Sequence, residues 1–184
     1  MKRLVCCCSA LAVLALTSTS AAAQSKLTGL VGFGTNIATT DYKNADSAKT
    51  GYQIMAGLEH PFFVNSLALR VDGSLGWNAR STIYRESTYL AGINLHLVWS
   101  APKLSVLQPY VLGGGGYIYN KYNPGQTGHI GHSDGETALS VGVGTNFTVG
   151  PAAAFLEGRY DRGQNLTRIY PIILGVRFSS SSAK

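Results

Sequence analysis

Leu67-Ala-Leu-Arg-Val-Asp-Gly-Ser-Leu-Gly-Trp77 decides the fold. Leu67, Leu69, Val71, Gly73, Leu75 and Trp77 fall on one parity, and Ala68, Arg70, Asp72, Ser74 and Gly76 on the other. A period of two is the signature of a β-strand with one apolar and one polar face. A helix would need a repeat near 3.6, which this stretch lacks.

The same pattern recurs on both sides. Tyr52–Glu59, Tyr89–Trp99, Thr137–Val149, Ala154–Asp161 and Tyr170–Phe178 all alternate. Leu27–Thr35 and Tyr110–Tyr119 alternate more weakly because glycines blur their faces. The sequence therefore predicts eight strands. Charge placement supports the register. Glu59, Arg70, Asp72, Glu157, Arg159, Asp161 and Arg177 lie inside these segments, and all seven occupy the polar parity.

Several of the segments are longer than the five or so residues common in soluble sheets. They match the length that a tilted strand needs to cross a bilayer, about 9 to 11 residues. The connections alternate too. Asn36–Thr50, Ala79–Glu86, Asn120–Glu136 and Arg162–Arg168 are polar and mostly long. His60–Asn65 and Gly150–Ala153 are short, and Ser100–Leu107 is intermediate. Long loops at one end and short turns at the other are the pattern of a transmembrane barrel. Tyr52, Trp77, Tyr89 and Tyr170 fall near the long-loop end, and Trp99, Phe147 and Phe178 near the short-turn end. Two aromatic girdles at the membrane interfaces require such a distribution.

The N-terminus reads as an address. Lys2 and Arg3 precede an apolar run from Leu4 to Leu16, and Ala21-Ala22-Ala23 offers a cleavage site before Gln24. This is a secretory signal peptide, since the run is too short for a membrane-spanning helix. The predicted layout is a signal peptide over 1–23, the barrel over 24–178 and a polar tail over 179–184. Cys6, Cys7 and Cys8, the chain's three cysteines, leave with the signal, so no disulfide is expected. The formal charge falls from +6 to +4 as Lys2 and Arg3 depart. The remaining basic residues form no patch or stripe, and nucleic acid is excluded as a partner. Mean hydropathy is barely above zero. A barrel with an apolar outside and a polar inside accounts for that, because closing the sheet pairs every backbone group that hydrocarbon would penalise.

Three motifs carry the resemblance to a known family. They are the glycine-rich Pro109-Tyr-Val-Leu-Gly-Gly-Gly-Gly-Tyr117, the Phe155-Leu-Glu-Gly-Arg-Tyr160 strand and the closing Gly175-Val-Arg-Phe178. With the signal peptide, they make the chain resemble the small outer-membrane β-barrel family, of the OmpX and OmpA transmembrane-domain type. The resemblance implies an all-β, eight-stranded, antiparallel, up-and-down transmembrane barrel with periplasmic termini. It also implies that Phe178 acts as the signal read by the barrel-assembly machinery. Six residues, 179–184, follow that aromatic.

Candidate sites divide into three groups. Glu59, Arg70, Asp72, Glu157, Arg159 and Arg177 are expected to pair inside the bore as a structural ion network. Eight strands leave room only for side chains, and buried charges persist when paired. His129, His132, Asp134 and Glu136 lie in one glycine-rich loop, and their spacing fits solvated loop residues better than a metal site. His132-Ser133 lacks the oriented base that nucleophilic catalysis needs. His96 is expected to face the interior. Gly113–Gly116 has no following Lys-Ser/Thr and is no phosphate loop. Its glycines should allow a sharp bend or leave room for a large neighbour, with Tyr117 or Tyr119 filling such a space.

No catalytic residue, metal ligand or cofactor is expected. The expected role is structural or interactive, in the outer membrane, as a monomer. Its partners would be outer-membrane lipids, the barrel-assembly machinery and an extracellular partner at loops 36–50 and 120–136. A narrow porin is the first alternative, a lipid A-modifying enzyme the second and a soluble lipocalin-type barrel the third.

Overall fold

The computed structural model describes residues 27–38, 50–62, 64–79, 87–125, 130–131, 133–149, 152–164 and 168–179. The predicted signal peptide, the 179–184 tail beyond its first residue, and His129 and His132 lie outside them. The eight strands are β1 (Thr28–Ala38), β2 (Gly51–Phe62), β3 (Val64–Ala79), β4 (Ser87–Ser100), β5 (Leu107–Asn123), β6 (Ser133–Val149), β7 (Ala152–Gly163) and β8 (Arg168–Ser179). Each pairs antiparallel with the next, and β8 returns to β1 to close the barrel. Closure leaves no free edge, which is the condition for a sheet to stand in lipid.

The parity read from the sequence holds throughout. Val31, Ile54, Leu75, Ile93, Val111, Val141, Leu156 and Leu174 point outward and are exposed. Leu30, Met55, Arg70, His96, Leu112, Ser140, Glu157 and Ile173 point inward and are buried. A soluble barrel would show the opposite sorting, so the lipocalin alternative fails on this observation. Apolar side chains also fill parts of the bore. Leu30, Met55, Phe155 and Ile173 form one cluster, and Leu90, Ile118, Ala138 and Ile169 form another toward the loop-bearing end. Val98, Tyr110 and Leu112 pack near the 101–106 turn.

Two expectations need correction. The strands outrun the proposed loop boundaries. Asn36–Ala38 belong to β1, Asn120–Asn123 to β5 and Ser133–Glu136 to β6. The ladder continues there through Asn120↔Asp134 and Lys121↔Ser133, so the loops shrink to 39–50 and 124–132. Arg162 and Arg168 likewise sit opposite each other inside β7 and β8.

The second correction concerns the glycine run. Tyr117 and Tyr119 share the outward parity and are exposed, so neither fills the bore. Tyr110, Leu112 and Ile118 fix the inward parity of β5. A Cβ on Gly114 or Gly116 would collide with the Leu95 or Ile93 carbonyl of β4, so these glycines permit close approach of two backbones. Inside the bore Tyr110 lies where a Cβ on Gly144 would be, and on the outer face Tyr117 lies where a Cβ on Gly135 would be.

At one end the strands are joined by residue 63, residues 101–106 and residues 150–151. In the 101–106 turn, Leu104 and Leu107 exchange backbone hydrogen bonds of 2.7 and 3.0 Å around Ser105. Ser105 takes φ 56°, as a tight hairpin requires. The other end carries the connections 39–50, 80–86, 124–132 and 164–167.

Candidate functional site in the bore

The bore brings together all six residues expected to pair there. Arg70 on β3 donates from Nε and Nη2 to Glu59 Oε2 on β2, at 2.9 and 2.7 Å. Its Nη1 donates to Glu157 Oε2 on β7 at 2.6 Å. Arg159, also on β7, donates to both oxygens of Asp72 on β3, at 2.8 and 3.2 Å. Its Nε donates to Glu157. Arg177 on β8 donates to Glu59 Oε1 at 2.6 Å and to Asn146 Oδ1 on β6 at 2.8 Å.

The local cause is the strand period. Glu59, Arg70 and Asp72 reach the same face because Glu59 pairs with Arg70 across the β2–β3 ladder and Asp72 follows two residues later. Glu157 and Arg159 share their face for the same reason. β3 and β7 stand four strands apart in a ring of eight, so their charges meet across the bore. Three guanidinium groups face three carboxylates, and the network is neutral as a unit. Arg70 and Glu157 are fully buried, an arrangement sustained only when each charge is paired and hydrogen-bonded.

Four further residues complete the network, and nothing in the sequence alone had tied them to it. Tyr110 donates to Glu157 Oε2 at 2.6 Å, and its ring lies 5.3 Å from the Arg70 guanidinium. This combines a hydrogen bond with a cation–π contact. His96 faces inward as expected, with Nδ1 2.9 Å from Asp72 Oδ2. Asn146 caps Arg177, and the Arg159 Nη2 also meets the Met55 sulfur at 3.0 Å. A further interior carboxylate, Asp161, accepts from Ser140 Oγ at 2.5 Å. For Asn146 and Ser140 the available signal was parity, since both occupy the inward register of β6.

The aromatic residues expected to form the girdles sit on the outside. Tyr52, Tyr89 and Tyr170 are exposed toward the loop-bearing end. Trp77, half-buried, lies 5.2 Å from the Tyr52 ring, and Tyr160 stacks on Tyr170 at 5.0 Å. Trp99 and Phe178 are exposed toward the short-turn end, while Phe147 is half-buried there. Phe33, Phe62, Tyr117 and Tyr119 are exposed outward as well, which adds them to the aromatics expected from the sequence. Of the loop quartet, Glu136 turns into the mouth of the bore, where Asn120 donates to it at 3.4 Å. Asp134 accepts from the Gly135 backbone N–H at 2.8 Å. Among the described residues no group of three or more potential metal ligands occurs.

Solved structures share this architecture. Neisserial surface protein A superposes with a TM-score of 0.61 at 14% identity, covering 86% of this chain and 98% of that one. Ail, the attachment invasion locus protein of Yersinia pestis, gives 0.59 at 15% identity, covering 85% of this chain and all of that one. A major outer membrane protein from Thermus thermophilus gives 0.50 at 11% identity, covering 86% of this chain and all of that one. At these identities the likeness is one of fold. No curated protein matches the sequence. The profile of the outer membrane protein beta-barrel domain matches residues 9–170, most of the chain. On that match, the chain is a member of the outer membrane protein β-barrel domain family.

Proposed function

We propose that this protein is a closed, side-chain-filled barrel of the outer membrane, with a structural or surface-interaction role and no catalytic or conducting one. The cross-bore network carries this reading. Arg70 and Arg159 each bridge from one wall to the opposite one, which places charged side chains across the bore. Apolar clusters toward both ends of the bore add to the obstruction. The outward aromatics near the two ends suit headgroup-level girdles, and the connections 39–50 and 124–132 are the surface offered outside the cell. His96 pairs with a carboxylate, as a catalytic base would, but it is fully buried away from any substrate.

Planar-bilayer recording of the refolded barrel tests the reading. The expected trace is silent. Stable, reproducible conductance steps would overturn it in favour of a narrow porin. Mass spectrometry of lipid A from cells with and without the protein should give identical spectra, and a lost acyl chain would establish an enzyme.

A further inference from the structure

Two interior side chains keep unused hydrogen-bonding capacity in one part of the bore. His96 is fully buried, and its Nδ1 donates to Asp72 Oδ2 at 2.9 Å. Its other ring nitrogen, Nε2, is buried with no protein partner. Buried polar atoms in that condition are rare in native proteins. Asp161 is also buried, and among the described residues Ser140 Oγ is its donor. A carboxylate offers about four acceptor positions, so most of those on Asp161 stay open.

The ladder sets these groups in one row. His96 on β4 pairs with Gly114 on β5, Gly114 with Ser140 on β6, and Ser140 with Asp161 on β7. Gly114 brings no side chain between the imidazole and the Ser140 hydroxyl. A second chain of contacts links the same residues. Arg159 stands two positions before Asp161 on the inward face of β7, it holds both oxygens of Asp72, and Asp72 holds His96. Inside this closed ring Asp161 keeps 7% and Arg159 5% of its surface, so a space the size of a solvent molecule touches both.

The chemistry of the two groups selects the ligand. It must meet an imidazole nitrogen and a carboxylate oxygen together. Water donates to both when Nε2 is bare, and it accepts from Nε2 and donates to Asp161 when Nε2 carries hydrogen. It therefore suits the site in either state of the ring. A metal ion needs a fuller set, and among the described residues no group of three or more potential ligands occurs. An eight-stranded bore packed with side chains leaves no room for a larger molecule. We propose that one ordered water bridges His96 Nε2 and the Asp161 carboxylate as a built-in part of the interior. It extends the polar network from Asp72 through His96 to Asp161 and Ser140. That adds a tie between β4 and β7 to the two that the arginines make between β3 and β7.

The test uses the full mature chain. A crystal structure sharp enough to show solvent should place one water within about 3.2 Å of both His96 Nε2 and an Asp161 oxygen. A dry site, a direct His96–Asp161 contact, or an anomalous peak at about 2.0–2.2 Å from Nε2, the mark of a metal ion, would each overturn the proposal. A second measurement needs no crystal. In lipid nanodiscs with 15N-labelled histidine, magnetisation should pass from water to the His96 ring protons, assigned by their loss in His96→Gln. Asp161→Asn keeps an acceptor and should keep this transfer. Asp161→Leu removes the second anchor and should abolish it, with the heat-modifiable gel shift reporting that the variant folds. Absence of transfer in the wild type, or equal transfer in wild type and a folded Asp161→Leu, would overturn the bridge. Should Asp161→Leu not fold, the wild-type crystal and transfer results decide alone.

Discussion

Arg70 Nη1 lies 2.6 Å from Glu157 Oε2, and the two residues come from opposite walls of the barrel, 87 positions apart in the chain. Glu157 also accepts from Arg159 and Tyr110, so one carboxylate holds two guanidinium groups in place. Glu157→Ala would leave Arg70 with only the Glu59 carboxylate and Arg159 with only the Asp72 carboxylate, so three interior guanidinium groups would share two carboxylates. The expected loss is about 3–5 kcal/mol, read by urea unfolding in lipid vesicles. Arg70→Met combined with Glu157→Leu removes a matched pair and should be far less harmful. If Glu157→Ala unfolds with the wild type, the network contributes nothing to stability.

The outward parity has its own test. Val141 is central in β6 and exposed on the apolar wall. Val141→Arg should lose about 2–4 kcal/mol in bilayers, the depth-dependent cost of a cation at mid-membrane. Unchanged unfolding in vesicles would mean that this wall does not face lipid.

Depth can be read optically, because the chain contains two tryptophans, Trp77 and Trp99. They sit toward opposite ends of the barrel on its outer face. In Trp77→Phe and in Trp99→Phe, the remaining indole should be quenched by lipids brominated near the headgroup and little by lipids brominated at the chain ends. Strong quenching from the chain ends would refute the two-girdle arrangement.

Packing inside the bore predicts a coupling. A Cβ on Gly144 would overlap the Tyr110 ring. Gly144→Ala should therefore cost about 1–3 kcal/mol of overpacking. The same substitution in a Tyr110→Leu background should cost clearly less, which a double-mutant cycle measures. Equal costs in both backgrounds would show that the ring yields without penalty.

The wall was largely legible in the sequence, and the bore was legible only in part. Leu67–Trp77 announces its strand because side-chain direction alternates with every residue. The inward parity of Arg70 and Glu157 follows from the same rule. Which charge meets which does not follow, because pairs such as Arg70–Glu157 and Arg177–Glu59 depend on closure of the ring and on the register between distant strands. The role of Tyr110 is hidden because Gly113–Gly116 lacks the side chains that reveal parity. The ends of β1, β5 and β6 extend past their expected limits, since Asn36, Asn120 and Asp134 are turn-forming residue types. Ladder hydrogen bonds overrode that local preference.

The closing of β8 onto β1 has a consequence for how the protein reaches its membrane. Arg177 arrives on the last strand, and its carboxylate, Glu59, waits on the second. Until the final seam zips, Glu59 lacks one cation and Glu157 and Asp72 face a gap that the other half of the chain must fill. Strands entering lipid one at a time would carry those charges unneutralised. Insertion and ring completion must therefore advance together, with the lumen side kept wet until the end. The charges of this network are all paired only once β2, β3, β7 and β8 stand together in the ring.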